Sequence, residues 1–198
     1  MQTLEGQFSV LYGIQQRLGE DVDVILIGPK GVWVFEVKYL RGLIRWRDGV
    51  WTQIQSSGRF NPRSKEEIRE ADQPYEVQWQ RTADDVSETI RRHSPDLVNN
   101  HPHVTQIRGG IVFTHPKGRY DIPPGCPFNW GVIPFWLEKL RTVPDQPGMD
   151  DYGIMRVLDA LLNHHHQITA EQNLRSMNDY ANIIVLEAEE SIKSWIET

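Results

Sequence analysis

The sequence predicts an α/β fold: a sheet covered by helices on both faces, with more helices toward the C-terminal end. Three observations lead there. The stretch DVDVILIGPKGVWVFEVK, residues 21 to 38, holds two runs that are apolar on both faces, as in interior strands covered on two sides. Tyr75, Trp79, Ala83, Val86 and Ile90 recur at helical spacing. Residues 150 to 198 read as helix almost throughout. With 198 residues and 39% hydrophobic content, one core and a helical appendage are expected: a first domain over 1–145 and a helical extension over 146–198.

The elements follow in order. LEGQFSVLYGIQQRL places Leu4, Phe8 and Leu11 near helical spacing, which predicts a short first helix ending near Gly19. Two strands, 23 to 27 and 32 to 38, flank Gly28-Pro29-Lys30-Gly31, and Asp48-Gly49 in GLIRWRDGVWTQ signals a second hairpin, so residues 23 to 54 read as a β-meander. SSGRFNPRSKEEIREADQP is polar and reads as a surface loop with at most one helical turn, started by the capping box Ser64 to Glu67. A longer helix begins near Asp72, tolerates Pro74 in its first turn and stops before Ser94-Pro95. VTQIRGGIVFTHP and NWGVIPFWLEKL each carry a short β-rich run, separated by a loop dense in Pro and Gly. In the tail, DYGIMRVLDALLNHHH and a second segment opened by Thr169 read as helices.

Composition narrows the function classes. A net charge of −6 argues against a generally basic surface for duplex DNA. Charge is nevertheless uneven: Lys38, Arg41, Arg45, Arg47, Arg59, Arg63, Lys65 and Arg69 face only Asp48, Glu66, Glu67 and Glu70 in the same stretch. Cys126 is the single cysteine, and MQTLEGQFSV lacks the basic region and apolar run of a signal peptide, so a cytoplasmic protein is expected. The apolar runs fall short of the roughly 18 residues a membrane helix needs.

Asp23, Glu36 and Lys38 interrupt the apolar hairpin. If the turn is Gly28 to Gly31, Ile27 faces Val32, Ile25 faces Val34 and Asp23 faces Glu36, with Lys38 on the same face and Asp21 beyond the pair, opposite Lys38. Like charges opposite each other are destabilising, and a divalent cation between them compensates; oxygen-only ligation completed by water suits Mg²⁺ or Mn²⁺. Lys38 would then orient or deprotonate a water, or stabilise charge on a phosphate. Taken one by one, Asp23 and Lys38 are equally strand-end residues at the solvent boundary, with Lys38 paired to Glu36 or Asp21. Three such residues on one face, flanked by apolar ones, favour the ion.

An acidic residue opening one strand, then an apolar strand ending Glu-Val-Lys, matches the PD-(D/E)xK pattern of metal-dependent nucleases. DVILIGPKGVWVFEVKYLRGLI resembles the nuclease-related domain family through Asp23, Gly28, Pro29, Gly31, Glu36, Lys38 and Gly42, and more loosely in the order of elements to residue 140. The resemblance implies a restriction-endonuclease-like α/β/α core with a mixed central sheet, Mg²⁺ dependence, and hydrolysis of phosphodiester bonds in DNA or RNA. It makes Asp23 and Glu36 metal ligands, the Val37 carbonyl a third, and Lys38 the catalytic lysine; Gln73 is the nearest candidate for a glutamine early in the next helix. The family's first helix carries Gly-Glu where this chain has Glu5-Gly6-Gln7. Either Glu5 substitutes from a shifted position or that outer metal contact is missing, which leaves a catalytically inactive nucleic-acid-binding or protein-interaction module as the alternative.

Other candidates are weaker. His101, His103, His115 and His164 to His166 do not make a zinc site, since consecutive histidines on a helix point about 100° apart. Cys126 has no activating partner in sequence. Trp46, Trp51 and Phe60, interleaved with Arg41, Arg45, Arg47, Arg59 and Arg63, form either a nucleic-acid surface with aromatic platforms or a packed hairpin with solvating arginines. Met177, Ala181, Ile184, Ala188, Ile192 and Trp195 make a stripe that serves equally as intramolecular packing or as a homodimer seam.

Overall fold

The computed structural model describes residues 8–15, 21–56 and 66–163 of the chain. In chain order come β1 (Ser9–Gln15), β2 (Asp21–Gly28), β3 (Gly31–Lys38), β4 (Gly42–Arg47), β5 (Val50–Ser56) and β6 (Glu66–Glu70). There follow α1 (Tyr75–His93), α2 (Pro95–Asn100), a 3-10 turn (Pro102–Thr105), β7 (Arg108–Phe113), β8 (Gly118–Asp121), β9 (Trp130–Val132), α3 (Ile133–Thr142) and α4 (Asp151–Asn163). The expected α/β class holds, with two mixed sheets.

The first sheet runs β1-β2-β3-β7-β9. β2 and β3 form the predicted hairpin in the predicted register, Ile27 against Val32 and Ile25 against Val34. The far edge of β3 is taken by β7 in parallel, and β9 adds in parallel to β7. The second sheet runs β6-β5-β4-β8, so the predicted meander is in fact divided between two sheets. Asp48 and Gly49 both have positive φ, as the tight β4–β5 turn requires.

Two expectations fail in instructive ways. The predicted N-terminal helix is, over its described residues, the strand β1, antiparallel to β2. Leu11 and Ile14 both enter the core from positions three apart because Gly13, at φ +55, kinks the strand between them, and that spacing imitates a helix. The polar segment after β5 contains the edge strand β6 instead of a helical turn. Its alternation is masked by charge, with Ile68 opposite Ile54 and 61% exposed.

Helices cover both faces of the first sheet. Val86 and Ile90 of α1 and Val157 and Leu161 of α4 bury against Ile25, Ile27 and Val34. On the other face, Trp136 and Leu140 of α3 pack on Trp33, Phe35 and Val112. The Phe35 and Trp136 rings meet edge-on with centroids 5.1 Å apart, an arrangement worth about 1 kcal/mol beyond its area. A third cluster joins the sheets, with Ile44 and Trp51 against Ile111 and Phe113. The N-terminal end of α1 lies at this junction, because Tyr75 packs in the same cluster.

Candidate active site

β2 and β3 part company after the Val24 and Phe35 pair. The ladder between β1 and β2 likewise runs from Tyr12–Val24 to Ile14–Val22, passing over Gly13 and Asp23. Asp23 therefore sits where the β1–β2 ladder skips a step and the β2–β3 ladder has ended. Its Oδ2 accepts the Val37 N–H at 2.7 Å, so a side chain takes a bond that a backbone carbonyl would otherwise supply. The expected face-to-face pairing of Asp23 with Glu36 is thus replaced by a side chain reaching past Glu36 to the next residue's backbone.

Glu36 and Lys38 follow on alternate positions of β3, toward α1. Lys38 Nζ donates to Glu36 Oε1 at 2.5 Å and to Gln78 Oε1, one turn into α1, at 2.9 Å. The ammonium also lies 4.8 Å from the centre of the Tyr75 ring. Burial, and then the charges of Asp72 and Glu36, push the Tyr75 hydroxyl above its ordinary value, so it stays protonated beside Glu36. Gln73 does not take the expected place: it lies exposed in the bend before α1, and Gln78 is the glutamine that meets Lys38. The helix is fixed at this height by Trp79, whose indole N–H donates to the Val34 carbonyl at 2.9 Å.

The donors at this point are oxygens: the Asp23 and Glu36 carboxylates and the Val37 carbonyl. A strand residue's N–H and C=O leave on one side, so the Val37 carbonyl faces Asp23 as its N–H does. Two carboxylates and a carbonyl fit Mg²⁺, which keeps several waters. Among the described residues no group of three His, Cys, Asp or Glu side chains is arranged to hold a metal, and Glu5 lies outside the described residues.

A family model, the nuclease-related domain (NERD), matches residues 2–105, just over half of the chain. The chain belongs to the nuclease-related domain family. Membership in the PD-(D/E)xK superfamily is consistent with this, as is the sheet flanked by α1 and α3. No curated protein and no solved structure gave a match. Among the described residues, no helix of this NERD protein is long and apolar enough to cross a membrane.

The predicted arginines divide. Arg41 is exposed in the link between β3 and β4, immediately beyond the site. Arg45 Nε and Arg47 Nη2 both pair with Asp121 on β8, at 2.9 and 2.5 Å. Their hydrogen bonds, Arg47's above Arg45's, hold the Asp121 carboxyl below its ordinary value. Arg59 and Arg63 lie outside the described residues, with Phe60 and the stripe from Met177 to Trp195. Trp51 is 2% exposed and is no platform for bases. Its indole N–H and that of Trp46 both donate to Glu76 in the first turn of α1, at 2.5 and 3.3 Å. Sequence reasoning missed Tyr75 and Gln78 as partners of Lys38; their i, i+3 spacing on the helix was the available signal.

Proposed function

We propose that this NERD protein is a metal-dependent nuclease that hydrolyses phosphodiester bonds in nucleic acid, with DNA as the first substrate to test. The observation that carries the reading is the convergence of Asp23, Glu36 and Lys38 at the parting of β2 and β3, with the lysine ammonium fixed by Glu36 and Gln78. Asp23 and Glu36, with the Val37 carbonyl, would hold Mg²⁺, which when bound polarises a phosphoryl oxygen and acidifies a water. Lys38 presents a fixed positive charge to the oxygens that gain charge during in-line attack. Tyr75 and the surrounding aromatic cluster keep one side of the ammonium dry, which strengthens that charge. Arg41 holds the adjoining backbone phosphate.

Glu36→Ala abolishes cleavage of DNA in Mg²⁺ while the circular-dichroism spectrum and unfolding midpoint stay close to the parent's. Equal cleavage by both proteins would sink the assignment. One observation favours a second reading, a non-catalytic module on the same fold: each carboxylate already meets a protein donor, Asp23 the Val37 N–H and Glu36 the Lys38 ammonium. Calorimetric titration with Mn²⁺ separates the two, because the nuclease reading requires binding that disappears in Glu36→Ala.

A further inference from the structure

Two links cross side by side from the first sheet to the second. Residues 39 to 41 lead from β3 into β4, and residues 114 to 117 lead from β7 into β8. Because β3 pairs in parallel with β7 and β4 with β8, both links leave the carboxyl ends of their strands, the end at which Lys38 lies. The Thr114 N–H donates to the Lys38 carbonyl at 3.1 Å and joins the links at the site itself. Four side chains are carried on these two links. Tyr39 is 61% exposed, with its ring centre 4.6 Å from that of His115. His115 Nδ1 accepts the Lys117 backbone N–H at 3.0 Å, which places the neutral ring's proton on Nε2 as a donor. Arg41 and Lys117 are exposed cations. Burial, and then the charges of Arg41 and Lys117, hold His115 below its ordinary value, which keeps the ring neutral.

We propose that Tyr39, Arg41, His115 and Lys117 form a subsite for a single-stranded polynucleotide, in which an unpaired base stacks on Tyr39 and the cations and the His115 Nε2–H hold the neighbouring phosphate. The choice of ligand rests on the nuclease reading of the adjoining site. The strand type rests on the ring itself: an exposed tyrosine can stack on any base face that is open, whereas a duplex keeps those faces buried in its own stack. The sugar is not read by these four groups, so DNA and RNA single strands share the chemistry.

The test uses the full chain carrying Glu36→Ala, which is not expected to cut, and labelled oligothymidylate, oligouridylate and a DNA duplex of equal length in fluorescence anisotropy. Both single strands bind more tightly than the duplex, and Tyr39→Ala weakens single-strand binding roughly ten-fold while sparing the duplex. Tyr39→Phe restores it. Arg41→Ala and Lys117→Ala weaken all three ligands and lower the slope of log K against log salt by about one each. A Tyr39→Ala protein within about two-fold of its parent on both single strands, or one that loses duplex affinity equally, overturns the subsite. Cleavage by the unmodified chain is scored separately, so a protein that binds as proposed but does not cut refutes the nuclease reading alone.

Discussion

Lys38 is a flexible side chain held at both ends of its reach, by Glu36 on its own strand and by Gln78 across the gap to α1. The Gln78 contact matters because Glu36 alone would leave the ammonium free to swing toward whichever carboxylate oxygen is nearer. Gln78→Leu should therefore lower kcat for cleavage about ten- to a hundred-fold, the usual cost of losing an outer orienting bond, with the unfolding midpoint unchanged. Gln78→Glu, which keeps an acceptor at the same reach, should recover much of the rate. If Leu and Glu variants are equally impaired, Gln78 acts through packing and not through Lys38. Asp23, Glu36 and Lys38 stand out in the sequence because a charge in a strand apolar on both faces contrasts with its neighbours. Gln78 does not, because it is one of several polar residues on α1, and its direction depends on how Trp79 docks on the Val34 carbonyl.

At the level of elements, legibility followed how well each period was expressed. The sequence marks α1 to within a few residues because Ala83, Val86 and Ile90 sit on one buried stripe, and the Ser94-Pro95 stop is a strong local signal. β1 imitates a helix in the sequence because the Gly13 kink breaks the period of two, and the four-residue β8 carries no signal above its Pro- and Gly-rich surroundings. What locks α1 to the second sheet was also invisible: a single carboxylate, Glu76, accepting the indoles of both Trp46 and Trp51 across the β4–β5 hairpin. Glu76→Leu leaves two indole donors without an acceptor, one on a fully buried ring, and should cost roughly 2–4 kcal/mol in urea unfolding. Glu76→Gln retains one acceptor oxygen and should cost less. A Glu76→Leu change below about 0.5 kcal/mol would mean the indoles find other partners or water.

For the molecule as a whole, the family match and the packing draw different limits. The match ends at residue 105, yet the core it encloses is closed by later residues: Met149, Val157 and Leu161 share a cluster with Val22, Ile25, Val86 and Ile90. Polar contacts tie the same region down. Lys30, at the tip of the β2–β3 hairpin, donates to the Val143 carbonyl at 2.5 Å, the Gln146 N–H donates to the Pro29 carbonyl at 2.7 Å, and Ser94 Oγ donates to the Arg156 carbonyl at 3.1 Å. The sequence did not disclose this, since α4's apolar stripe is compatible with any partner and the division of the strands into two sheets is set by β7 taking the edge of β3. The consequence is testable with two shortened chains. A chain ending at residue 163 retains every contact named above and should unfold cooperatively. One ending at residue 145 strips the α4 side of the cluster in which Val22, Ile25, Val86 and Ile90 are fully buried; at about 1.5–3 kcal/mol per fully buried side chain, the loss is comparable to the stability of an ordinary domain. It should show no cooperative urea transition and poor amide dispersion. Leu161→Ala gives the graded form of the same loss, about 2–5 kcal/mol, in an otherwise complete chain. If the 145-residue chain unfolds at the same midpoint as the 163-residue one, α4 is an ornament on the fold and the site's scaffold is complete without it.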